Sequence, residues 1–101
     1  MDQTEQLLQS LTDAHGVPGY EAEVRAVLRQ YMAPLGDLSQ DKLGSLVGRR
    51  PGDGPKVMLA GHMDEIGFIT THITDDGFVK FLQLGGWWDQ VLLGQRVLIK
   101  T

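Results

Sequence analysis

No cysteine occurs anywhere in the 101 residues. That absence excludes a disulfide scaffold, a thiolate zinc site and a cysteine nucleophile. Apolar runs stay far below the roughly 20 residues that a membrane-spanning helix needs, so no membrane partner is expected. Basic clusters are missing too, the largest being Arg49-Arg50. Nine lysines and arginines against thirteen aspartates and glutamates leave a net charge of −4. A surface of that sign repels phosphate backbones, so no nucleic-acid partner is expected either. The opening Met1-Asp2-Gln3-Thr4-Glu5 lacks the basic and then apolar pattern of a secretory signal, which makes a cytoplasmic location the expectation. Gly-x-Ser-x-Gly, P-loop and dinucleotide fingerprints are absent, since Gly52-x-Gly54 has neither a third glycine nor a helix after it.

What is present suits a small globular unit. The hydrophobic share of 42% can supply a core, and 22% charged residues can supply a hydrated surface. The length fits one small domain or part of something larger. Asp2 with Glu5 three residues on forms a capping-box pattern, and Leu7, Leu8, Leu11 and Ala14 then share one helical face. His15 falls at the end of this helix, where a cationic side chain suits the helix dipole. Gly16 to Gly19, with Pro18 between, break the helix. A second helix is expected over about residues 20 to 32, because Val24, Val27, Leu28 and Tyr31 repeat at i, i+3, i+4 and i+7.

The remainder reads as strands and turns. Asp37–Gln40 and Ser45–Arg50 flank a turn at Asp41-Lys42-Leu43-Gly44. After the turn cluster Pro51–Pro55, Lys56-Val57-Met58-Leu59-Ala60 has no polar alternation, as expected of a strand buried on both faces. Two helices before such a strand predict an α/β layer arrangement. Phe68–Ile73 and Phe78–Leu82 flank Asp76-Gly77, a hairpin signal, and a third strand is expected over Arg96–Lys100.

The chemistry concentrates in Leu59-Ala60-Gly61-His62-Met63-Asp64-Glu65. Along an extended backbone residues i and i+2 project to one side, so His62 and Asp64 face the same way. A neutral imidazole can bind a metal through one nitrogen while an aspartate accepts the N–H of the other, which fixes tautomer and ring direction. In a doubly wound sheet, sites form beyond the carboxyl ends of strands, where His62 is expected. The bland alternatives are a histidine satisfied by backbone groups and a turn or N-cap aspartate. Glu65 points to the opposite side of an extended chain and is set aside as a base. His72 reads as a surface or interface residue. Trp87-Trp88 after Gly85-Gly86 suits packing or an oligomer contact, with a sugar-stacking platform as the alternative.

Together these segments resemble the M42 family of metallo-aminopeptidases, which includes glutamyl aminopeptidases and tetrahedral peptidases. AGHMDEIGF at Ala60–Phe68 resembles the family's first metal-ligand motif. Gly16-Val17-Pro18-Gly19-Tyr20-Glu21, Asp41-Lys42-Leu43-Gly44-Ser45-Leu46, and Gly85-Gly86-Trp87-Trp88-Asp89 with Val91–Val97 match further segments in family order. The resemblance implies an α/β class: residues 1–67 as the N-terminal part of an α/β/α zinc-peptidase-like catalytic domain, and residues 68–101 as the start of an inserted all-β, PDZ-like or barrel, dimerisation domain. It implies His62 as a metal ligand and Asp64 as the catalytic residue that orients it. It also implies two divalent ions, zinc or cobalt, that activate water against the N-terminal peptide bond of a peptide substrate, in a homo-oligomer from dimer to dodecamer. The other ligands and the general base have no counterpart here, so the chain is expected to be truncated and inactive alone. The alternatives are an endoglucanase-like activity, a label some relatives have carried, and a non-catalytic binding module.

Overall fold

The computed structural model describes all residues from Met1 to Thr101. They form two compact units, Met1–Glu65 and Ile66–Thr101.

In the first unit, helix α1 spans Gln3–Asp13 and α2 spans Ala22–Met32. The capping box closes α1 as its sequence implies. Asp2 Oδ1 accepts the Glu5 N–H at 2.8 Å, and Glu5 Oε2 accepts the Asp2 N–H at 2.7 Å. Such a cap typically contributes about 1 kcal/mol. Leu7 and Leu11 are half-buried on the inner face of α1, while Leu8 at its margin is 58% exposed. Ala14 and Val24 are the buried side chains of the unit, and the glycine between the helices, Gly16, is buried beside them. A 3-10 turn at Ala33–Leu35, carrying Pro34, ends α2.

Strand β1 (Asp37–Gln40) pairs antiparallel with β2 (Leu46–Arg49), setting Asp37 opposite Arg49 and Gln40 opposite Leu46. Asp41 Oδ1 organises the connecting turn by accepting the N–H groups of Leu43 at 2.9 Å and Ser45 at 2.8 Å. Arg25 on α2 donates from Nε to the Gly44 carbonyl at 2.7 Å, so the turn is tied to the helix.

The α/β layer expectation needs correction on one point. Lys56–Ala60 forms no strand, and its apolar side chains stand in solvent. A central strand exists only when neighbours satisfy its N–H and C=O groups on both sides, and this chain pairs its strands two by two in separate hairpins. Arg96–Lys100 likewise runs outside any strand.

The second unit is built on β3 (Gly67–Ile73) and β4 (Val79–Leu84), an antiparallel pair with an irregularity between Thr70 and His72. Gly77 turns the hairpin at φ +90°, the left-handed region that glycine reaches without steric cost. Thr74 Oγ1 accepts the Phe78 N–H at 2.9 Å and steadies the same turn. Trp87 lies over Phe68 with ring centroids 4.7 Å apart and planes 19° apart, and Phe81 meets Phe68 edge-on. The Trp87 indole N–H is shared between the carbonyls of Gly67 at 3.1 Å and Leu84 at 3.2 Å. This stack gives Trp87 a packing role on the Phe68 side, while Trp88 beside it is 78% exposed.

Candidate functional site

In sequence, Gly61 to Glu65 follow β2 and precede β3, outside any helix or strand. Here the expected i, i+2 relation is met in side-chain geometry. His62 Nδ1 lies 2.9 Å from Asp64 Oδ1 and 3.1 Å from the Asp64 carbonyl oxygen. A carbonyl oxygen only accepts, so Nδ1 facing it and a carboxylate must carry the proton. In the neutral ring this leaves the lone pair on Nε2. The ring is 86% exposed while Asp64 is 38% exposed, so the aspartate sits inward and the imidazole edge outward.

A shallow concavity of about 320 Å³ opens beside the pair, lined by Glu21, Gly44, Leu46, Gly61, His62 and Asp64 among others. Glu21 is committed: Oε1 accepts the Gly19 N–H at 2.6 Å, and Oε2 lies 3.7 Å from an Arg25 terminal nitrogen. The same Arg25 holds Gly44, so α2 and the β1–β2 turn are joined where they border the concavity. Within that turn the Asp41 carboxyl is held below its ordinary value, first by hydrogen bonding to Ser45 and then by the Leu43 and Gly44 N–H groups.

The structure therefore brings together one histidine and one aspartate. No group of three or more His, Cys, Asp or Glu side chains converges anywhere in the chain. His15 is exposed and lies past the end of α1, and His72 is an exposed β3 residue opposite Lys80. Glu65, set aside on sequence, makes two hydrogen bonds to Gly16, with its main-chain N–H donating to the Gly16 carbonyl at 2.8 Å and its Oε1 accepting the Gly16 N–H at 3.0 Å. A partner 49 positions away leaves no local signal in the sequence.

Comparison with known families gives a direct match, with the M42 glutamyl aminopeptidase model aligning over residues 44–101. The chain belongs to that family. A second model, described as AMPT, matches residues 2–28. The putative aminopeptidase FrvX of Escherichia coli (strain K12) is 47% identical over 97 residues, 95% of this chain and 27% of that protein. The TET aminopeptidase of a marine sediment Thaumarchaeota archaeon superposes with a TM-score of 0.85 at 44% identity, covering 93% of this chain and 27% of its own. PhTET1-12s, described as a dodecamer, superposes at 0.79 with 32% identity over 91% of this chain and 28% of its own. This M42 chain thus spans little more than a quarter of the relatives it matches. No helix in it is long and apolar enough to cross a membrane.

Proposed function

We propose that this chain supplies the first part of a metal-dependent M42 aminopeptidase that removes N-terminal residues from peptides. The observation carrying the proposal is the His62–Asp64 pair, in which Asp64 occupies Nδ1 and leaves Nε2 directed away from it. Imidazole nitrogen with carboxylate support suits zinc and cobalt, so these residues fit one corner of a divalent-metal site. A full site takes roughly four to six donors, so the rest of the ligands and the general base belong to sequence outside these residues. Such ions, when bound, supply Lewis acidity and an activated water.

His62 is the residue that would hold one ion. Asp64 keeps the His62 proton on Nδ1 and fixes the ring plane, so the ligating nitrogen needs no rearrangement before binding. By the same reading, residues 1–67 belong to the α/β/α catalytic domain and 68–101 open the β dimerisation domain. The dodecameric PhTET1-12s supports a homo-oligomer, and the same reading takes the peptidase as cytoplasmic.

The test uses a polypeptide carrying this chain at full family length, assayed on aminoacyl anilides and on carboxymethyl-cellulose, with zinc, with cobalt and with chelator. Metal-dependent anilide hydrolysis without cellulose hydrolysis is expected. His62→Ala should lower kcat/KM by roughly 100-fold or more, and Asp64→Asn should weaken metal binding by about 10- to 100-fold. Wild-type rates in His62→Ala would overturn the assignment.

A further inference from the structure

We infer that Glu65 is a positioning residue for His62 and acts through Asp64. The inference rests on the metal-ligand reading of His62. Glu65 engages both main-chain polar groups of Gly16, one with its backbone N–H at 2.8 Å and one with its carboxylate at 3.0 Å. Gly16 is buried, so its N–H has no easy recourse to water and depends on the Glu65 oxygen.

The anchor point is itself closely packed. A Cβ on Gly16 would stand 2.5 Å from Val24 Cγ2 and 3.7 Å from the Met63 carbonyl oxygen. Only a glycine lets the chain lie this close to Val24, one of the two buried side chains of the core. The clasp therefore fastens the end of the His62–Glu65 stretch to the packed crossing between α1 and α2.

Asp64 immediately precedes the clasped residue. Its carboxylate and its carbonyl both face His62 Nδ1, so the direction of the ring depends on how the Asp64 backbone is held. Glu65 supplies that hold through its two bonds to Gly16. With Oε1 accepting the Gly16 N–H, the Glu65 carboxylate is tied to the link between α1 and α2.

Two substitutions divide contact from charge. Glu65→Gln keeps an oxygen that can accept the Gly16 N–H but removes the charge. Glu65→Asp keeps the charge but is one methylene too short to reach. Both are made in the family-length polypeptide, and three quantities are read: zinc affinity, kcat and KM on an aminoacyl anilide, and the imidazole nitrogen NMR shifts of His62 in metal-free protein. Glu65→Gln should stay within about threefold of wild type throughout. Glu65→Asp should bind zinc about 10-fold more weakly, within the range for residues that orient a ligand. It should also lose kcat with KM little changed, and shift the His62 signals away from a uniform Nδ1–H tautomer.

A Glu65→Gln variant as inactive as His62→Ala would overturn the inference in favour of proton transfer by Glu65. Wild-type His62 signals and zinc affinity in Glu65→Asp would overturn it in favour of no role. Failure of the underlying metal reading shows separately, as wild-type zinc binding that His62→Ala leaves untouched.

Discussion

Val57, Met58 and Leu59 are 81, 86 and 95% exposed, whereas Met63 and Asp64 a few positions later are half-buried. The apolar stretch lies in water and the more polar one is tied down. Burial of aliphatic side chains is favourable, yet an extended segment reaches burial only together with partners for its backbone. Lys56–Ala60 finds no such partner here, while His62–Glu65 finds Gly16 and its own side chains. Order along this part of the chain follows the supply of hydrogen-bonding partners rather than the hydrophobicity of the residues. A contiguous apolar run left uncovered is the kind of surface that another layer of protein covers.

The strongest way to break this contrast is a charge in the exposed run. In a polypeptide of family length, Lys56–Ala60 is expected to be paired and covered. Leu59→Asp should then cost on the order of 3 kcal/mol or more, as expected for an unpaired buried carboxylate. Chemical denaturation of the full-length variant measures it. A loss below roughly 0.5 kcal/mol, the size usual for surface positions, would mean that the run stays in water there too.

The second unit sharpens the contrast because its apolar groups meet partners within a short span of sequence. Trp87 stacks on Phe68, Phe81 meets Phe68 edge-on, and the indole N–H is satisfied by two carbonyls. Trp87→Ala removes the stack and the donor together. Since Trp87 is half-buried, the expected cost is about 2 kcal/mol, below that of a fully buried tryptophan. It would be read as a lower unfolding midpoint with loss of near-ultraviolet aromatic signal. An unchanged midpoint would show that the hairpin stands without its aromatic cluster.

The same distinction explains what the sequence made legible. Local features were readable: the Asp2–Glu5 cap, the α2 spacing from Val24 to Tyr31, and the Asp76-Gly77 turn all depend on residues a few positions apart. The approach of His62 to Asp64 is also local, a 2.9 Å contact between residues two positions apart. Lys56–Ala60 forms no strand in this chain because an apolar run reports a preference for burial and says nothing about which strands lie beside it. Arg96–Lys100 failed for the same reason. Helix α2 starts at Ala22 rather than near residue 20, because Gly19 and Glu21 bond each other in the preceding turn. Glu65 escaped notice because its partner is 49 residues away, and alternation along a strand points to a face without saying what lies on it.

Asp41 provides the weakest and most local case on the polar side. Its carboxylate is solvent-exposed, yet Ser45, Leu43 and Gly44 hold its pKa below the usual aspartate value. A depressed folded-state pKa means that the contribution to the turn is present above the unfolded value, near 4, and is lost as pH falls through the lower folded value. Water competes for every one of these bonds, so the effect is confined to the β1–β2 turn. The amide resonances of Leu43 and Ser45 should therefore move with a midpoint below that of an ordinary aspartate, with hairpin protection falling over the same acid range. Asp41→Asn keeps the accepting oxygen and removes the titrating proton, so its turn should be flat across that window. If the variant loses protection as the wild type does, exposure outweighs local bonding at this turn, and partner supply orders polar segments only where the partner, like Gly16, is buried.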